Sequence, residues 1–253
     1  VIITNPKTFG ALIEVVKSGA SYHTFRDWRC TITNTDYIGD VVKEENYIYV
    51  PGMSGKLDVT ETIAGRPVYK SRAINIELAG AHDRYDWQNQ ISRIRNAIDG
   101  RLVKVIFDDD TGHYWKGRAS VNGFERQRQL GTFSIEIPDA DPYKYEITSS
   151  QEPWLWDPFS FEDGVIRYLG ERGIDDGTQI TIPKGNMSVV PIITVTDILH
   201  APVTVSASGI SGTFTLQAGD NRIPQIRVCG DDDVVLTFGG NANVIIDYRA
   251  GSL

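Results

Sequence analysis

Gly52-Met53-Ser54-Gly55-Lys56 comes nearest to a catalytic signature in this 253-residue chain, and it misses. A nucleophile elbow, G-x-S-x-G, needs one more residue before its last glycine. A phosphate-cradling loop needs G-x-x-x-x-G-K-[ST], whereas here the spacing is absent and Leu57 follows the lysine. The runs Asp108-Asp109-Asp110 and Asp231-Asp232-Asp233 suggest a cation loop. A calcium-binding loop closes on a glutamate at its twelfth position, and Ala119 and Ala242 stand there. Both runs read as solvated turns. Paired carboxylates for glycoside hydrolysis can be drawn from 33 acidic residues in many ways, and no spacing selects a pair. His23, His82, His113 and His200 are scattered, and Cys30 and Cys229 lie far apart without zinc spacing. Two such cysteines read as buried free thiols. The residues therefore point to no enzyme, no cofactor and no metal.

The elements that would position any site are mostly strands. Residues 27–32, 57–63, 68–78, 103–107, 114–121 and 131–137 are rich in Val, Ile, Thr and aromatic residues or alternate apolar with polar. The turn Ala64-Gly65-Arg66-Pro67 predicts that 57–63 and 68–78 form a hairpin or two adjacent strands. Residues 9–16 fit a strand or a buried helix turn equally well. One amphipathic helix is predicted over 86–100. Trp87, Ile91, Ile94 and Ile98 fall on one face, with Asp86 placed as N-cap and Gly100 just past the end. Arg93, Arg95 and Asn96 cover the other face. A helix this short gains its stability by docking its apolar stripe on a sheet, so those four residues are the expected docking face.

Residues 138–158 hold four prolines with Trp154 and Trp156 at their end, and are the expected domain junction. Beyond them come short strands at 165–169, 179–182, 189–196, 203–206, 213–216, 225–228, 234–238 and 244–248, separated by Gly and Asp/Asn clusters. That pattern predicts an all-β sandwich. The charge steps at the same place. Residues 1–138 carry 18 Lys and Arg against 17 Asp and Glu, and residues 139–253 carry 7 against 16. The acidic half cannot release phosphate counterions, so tight nucleic-acid binding is not expected. No run of about 18 apolar residues exists to cross a membrane, and the opening VIITNPKTFG lacks the basic and apolar regions of a secretory signal.

Residues 50–80, VPGMSGKLDVTETIAGRPVYKSRAINIELAG, resemble the distal tail protein (Dit) family of long-tailed siphoviruses that infect Gram-positive bacteria. The matching elements are Pro51-Gly52, Gly55, Leu57-Asp58, Thr60-Glu61, Tyr69 and Arg72. The helix to Gly100, RLVKVIFDD and YWKGRASV then follow in order, so the match covers about 9–145, and IIDYRAGSL is like the family's last strand. The resemblance implies a mostly β protein. Residues 1–138 would be a β-sandwich-like, ring-forming domain with one helix, and 139–253 a galectin-like β-sandwich. The last strand, 243–253, is a candidate to pack back on the first domain. It further implies a virion protein of the phage tail tip, made in the bacterial cytoplasm. Its partners would be itself as a hexameric ring, the tail tube protein, the tail-associated lysin or fibre hub, and receptor-binding or baseplate proteins. DNA would pass through the ring. The loop of Pro51, Gly52, Gly55, Leu57 and Asp58 is the candidate subunit contact. Pro51 fixes φ there and the glycines permit a sharp turn.

The rival reading is a carbohydrate-binding module. Galectins use a His, Asn and Arg on adjacent strands with a stacking Trp. Here Ala201-Pro202 follows His200, and the second half has no tryptophan other than Trp154 and Trp156.

Overall fold

The structure is a computed structural model, and it describes residues 9–62, 65–83, 86–147, 169–230, 232–249 and 251–253. Trp154, Trp156, Asp231 and most of the strand expected at 165–169 lie outside them. The protein is mostly β, with one helix among the described residues, and it divides into two compact units, Val1–Pro142 and Tyr143–Leu253. No helix in the described residues is long and apolar enough to cross a membrane.

The first unit is a β-sandwich. One sheet runs β2 (Ser21–His23), β1 (Ala11–Val15), β7 (Leu102–Phe107), β8 (His113–Arg118). The other runs β3 (Cys30–Ile32), β6 (Arg72–Ala81), β10 (Leu130–Ala140), β9 (Ser120–Gln127). The segment that fitted strand or helix is strand β1, held in register between β2 and β7. Ala11, Ile13 and Val15 face the core and Leu12 and Glu14 do not, which is a period of two. Ile74, Ile76 and Leu78 from β6, and Phe133, Ile135 and Ile137 from β10, meet Val103, Val105 and Phe107 from β7 in one core.

Helix α1 spans Trp87–Ile98, and Trp87, Ile91, Ile94 and Ile98 belong to that core, each no more than 1% exposed. Asp86 holds the N-cap position, but at φ −93° and ψ −19° it is already helical and its side chain makes no capping bond. An N-cap oxygen reaches the first N–H groups only from an extended backbone. The exit is better defined. Gly100 sits at φ +68° and donates to Ala119 O at 2.8 Å, Ala119 donates to Arg101 O, and Asp99 Oδ1 accepts from Val121 N. These bonds take Ala119 out of the ladder. That is why 114–121, expected as one strand, divides into β8 and β9 in two different sheets.

A second correction concerns 57–63. Only β5 (Leu57–Asp58) is strand, and it pairs with β4 (Tyr47–Ile48), not with the strand after Pro67. β6 pairs with β3 and β10 instead, because its alternate Ile and Leu residues belong to the core while 57–62 have no buried face.

The second unit has its own core around two long strands, β15 (Ile192–Ala207) and β19 (Val234–Asp247). β12 (Arg172–Ile174) and β13 (Gln179–Ile182) pair with β19, and β16 (Phe214–Thr215) and β17 (Gly219–Arg222) with β15. β14 (Gly185–Val189) pairs with β18 (Val228–Gly230), and β11 (Lys144–Glu146) with β20 (Gly251–Ser252). Residues 243–247 are thus part of β19 and pair along β15 and β12. Two pairs of short strands expected from the sequence, 189–196 with 203–206 and 234–238 with 244–248, are each one bent strand. The turn-forming residues between them mark bulges rather than chain reversals.

Cys30 is fully buried and donates to Trp28 O at 3.2 Å. Burial pushes its thiol up from 9.0 to about 12. The folded chain therefore holds this proton more tightly than the unfolded chain. The stability involved is fully present below pH 9 and is lost as pH rises toward about 12. Cys229 is half-buried. At about pH 8 a disulfide reagent should label Cys229 in the folded chain and reach Cys30 only after denaturation. Two equally fast thiols would contradict this burial.

Candidate assembly surface

Between Ile32 and Ile74 no described residue is buried. This is a ribbon of some forty residues without a core of its own. Its two sides run antiparallel away from the sandwich. Gly39 N donates to Ala73 O at 2.8 Å, Lys70 N to Val42 O at 2.9 Å, and Glu44 N to Val68 O at 2.8 Å, with single bridges at Ile38↔Ile74 and Lys43↔Tyr69. Beyond them β4 and β5 close the ribbon with Tyr47 opposite Asp58 and Ile48 opposite Leu57. Thr60 fastens this end: its N–H donates to Asp58 Oδ1 at 2.9 Å, and its hydroxyl oxygen accepts from Asn46 N at 3.0 Å.

Pro51, Gly52 and Gly55 lie in the loop at the tip, and Leu57 and Asp58 in β5, so all five stand together and all are exposed. Gly52 and Gly55 have φ of +86° and +88°, and a Cβ on either would touch nothing within 4 Å. Their requirement is conformational, not steric. The Thr60 bonds hold the Asp58 carboxyl below its usual range. Glu45 and then Asp58 raise the Tyr47 phenol.

The ribbon also exposes apolar side chains. Val42, Tyr47, Ile48, Tyr49, Val50, Met53, Leu57 and Val68 are between 37% and 70% exposed. A two-stranded ribbon is marginal in water by itself. Eight large apolar side chains on one are more than scattered surface residues and make the ribbon a candidate interaction surface. The sequence showed the glycines of this loop. It did not show Val42 or Tyr47–Val50, whose exposure depends on the ribbon leaving the core.

Several of the other chemistry-bearing residues among those described are held in hydrogen bonds within the fold. The Asp108–Asp110 carboxylates accept protein hydrogen bonds instead of standing free in solvent. His23 Nε2 donates to Asp108 Oδ1 at 3.0 Å, and Gly10 N to Asp108 Oδ2 at 2.9 Å. Tyr37 OH donates to Asp109, and His113 Nδ1 lies 2.7 Å from Asp110 Oδ1. His23 Nδ1 accepts from the N–H groups of Phe25 and Arg26, which fixes the tautomer that donates from Nε2. In the other run, Asp233 Oδ1 accepts from Lys184 N at 2.9 Å. Among the described residues no group of three or more His, Cys, Asp or Glu side chains is placed to hold a metal ion. Gly52–Lys56 is part of the exposed tip.

No protein-family model and no curated protein matches the chain. A solved structure does. The crystal structure of the Dit protein of phage SPP1, described as a paradigm of the hub adsorption apparatus in phages infecting Gram-positive bacteria, is similar with a TM-score of 0.59. The likeness covers 94% of this chain and 98% of that one at 10% identity. At that identity it shows a shared fold over nearly the whole of both chains.

Proposed function

We propose that this chain is a structural hub protein at the distal end of a phage tail. The observation that carries the proposal is the apolar ribbon at 41–70, an arm whose large apolar side chains join neither core among the described residues. The shared fold with the SPP1 hub protein supports the same reading. In it, copies of the chain close a ring, six-fold, with the arm of one subunit laid on the first unit of the next. Such a head-to-tail contact must close or it grows into filaments. The ring joins the tail tube to the adsorption apparatus below, with lysin or fibre-hub and receptor-binding proteins as further partners. The second unit takes the place of a galectin-like sandwich at the ring's outside. No catalytic step is part of this role.

The test is electron microscopy of the purified chain and of tails labelled with an antibody against it. A six-fold ring at the distal end is expected. A lone copy, a three-fold component, or a location along the tube would overturn the proposal. Carbohydrate binding gains no support from the second unit. Among its described residues the exposed large apolar side chains are Ile198, Leu199 and Leu253, and none of these offers an aromatic platform.

A hub of this kind must let DNA pass without holding it. On the outer face of β6 and β10, Asn75, Glu77, Thr132, Ser134 and Glu136 are neutral or acidic. The whole chain has 33 acidic against 25 basic residues. The expected result of a fluorescence titration with duplex DNA at physiological salt is no binding at micromolar protein. Salt-sensitive micromolar binding would instead indicate a basic grip, with Arg93, Arg95, Arg126 and Arg128 the first residues to replace.

A further inference from the structure

Strand β15 is regular at both ends and broken in the middle. Its partners along β19 run from Val195↔Val244 to Thr204↔Gly239, with register shifts at three places between them. Counting both ends, that stretch takes ten residues of β15 against six of β19, so four extra residues are pushed out of the ladder. Residues 196–202 are all exposed, between Val195 and Val203, which are buried. The excursion is built into the fold and is no fraying end. Gly240 lies under it at φ +87°, and a Cβ there would sit 2.5 Å from Pro202 O and 3.0 Å from His200 O. Only glycine lets the backbone of β19 come so close to the excursion.

What the excursion carries outward is apolar at its centre. Leu199 is 69% exposed and Ile198 41%, the two most exposed large apolar side chains among the described residues of this unit. Around them the side chains are acidic. Asp197 is the neighbouring residue. Glu171 Oε1 accepts from the hydroxyl of Thr196 at 2.9 Å. Asp175 accepts from Asn241, which pairs with His200. Asp176 Oδ1 lies beside Gly239, which pairs with Thr204. Arg172 is the cation nearest in sequence to this rim, one position from Glu171. Two neighbouring aliphatic side chains on this knuckle, with four carboxylates on it and on the residues bonded to or paired with it, have the layout of an interface anchor with a charged rim.

We infer that the knuckle at 196–202 docks a protein partner that offers an apolar socket bordered by lysine and arginine. Charge decides the occupant. A second copy would bring its own four carboxylates against these, and residues 139–253 as a whole carry 16 acidic against 7 basic residues. Like charges brought face to face oppose pairing, whereas a basic rim is drawn in and held in register. In this contact Ile198 and Leu199 supply the apolar anchor, and Asp197, Glu171, Asp175 and Asp176 select the sign of the partner. The inference concerns the second unit and stands apart from the ring, so the test needs no phage particle.

The probe is a display library of disulfide-closed peptide loops, selected on the full-length chain. Leu199→Ser is the counter-selection target, and its melting temperature is checked against the parent. The expected survivors place apolar residues between lysines and arginines. Their binding should fall at least about tenfold on Leu199→Ser, as for an interface anchor, and weaken further in Asp197→Lys and with rising salt. Should Leu199→Ser melt early, Asp197→Lys, which alters only an exposed charge, serves as the comparison. Survivors that are acidic or uncharged, that bind Leu199→Ser as tightly as the parent, or that fail to appear at all overturn the inference. So does sedimentation showing that parent chains pair while Leu199→Ser stays single, since the occupant is then a second copy. None of these results bears on whether the chain forms a tail hub.

Discussion

Trp87→Ala should unfold the first unit at a markedly lower temperature, with a loss of about 3–5 kcal/mol. The indole is wholly buried and fitted on every side. Its Nε1–H donates to Gln129 O at 2.8 Å. The ring lies against His82 edge-on at 4.6 Å and against Phe124 at 5.6 Å between centroids. Gly131 of β10 leaves it room, since a Cβ there would lie 2.5 Å from the indole carbons. Truncation leaves a cavity between α1 and β10 that neighbours in both sheets cannot collapse into. It also leaves the Gln129 carbonyl without its donor. Domains are stable by only about 5–15 kcal/mol, so this loss is a large share of the total. Ile94→Ala, in the middle of the same stripe, should cost about 2–5 kcal/mol. Arg93→Ala, on the polar face, should stay within about 0.5 kcal/mol. Calorimetry of the three variants checks the series. A Trp87→Ala protein melting within a degree of the parent would show that the helix is not docked as described.

Ile48→Ser combined with Leu57→Ser should show the reverse signature, with stability kept and assembly lost. These two residues face each other across β4 and β5 and are 50% and 45% exposed. Since neither touches a core, the isolated chain should melt within about 0.5 kcal/mol of the parent. If the arm is the ring contact, both side chains are buried in every subunit junction. Anchors of that kind carry about 2 kcal/mol or more each, so the pair should weaken each junction by roughly a thousandfold. A ring needs all of its junctions at once, and the loss should therefore be complete at working concentrations. Sedimentation over a concentration series reads it directly. Where closure depends on the tail tube, incorporation into tails reads it instead. A double variant that assembles like the parent removes the arm from the contact, and one that melts early shows the ribbon to be part of the fold.

Periodicity determined much of this protein. Apolar residues at 87, 91, 94 and 98 can share a face only on a helix, and α1 forms there. Alternation in 131–137 or 103–107 fits only a strand with one buried side, and β10 and β7 follow. These signals are local, so the sequence alone specifies mostly β architecture with one helix. The paired glycines at 52 and 55 likewise mark the tip of the arm, because positive φ is a property of the residue itself. Partners are another matter. That 57–58 pairs with 47–48 and not with the strand after Pro67 depends on which segments have a core face to bury, and no local pattern records that. Ala119 ends one strand and starts another because bonds from the helix exit, about twenty residues earlier, take its backbone. The break at 196–202 looks like a loop between two strands. It becomes a knuckle on a single strand only because Gly240, some forty residues on, lets the two backbones touch. The arm, the split strand and the knuckle are contacts between residues distant in the chain, so their energies exist only once the chain has folded. The surfaces this protein presents are therefore set by its tertiary structure, while its elements are set by its sequence.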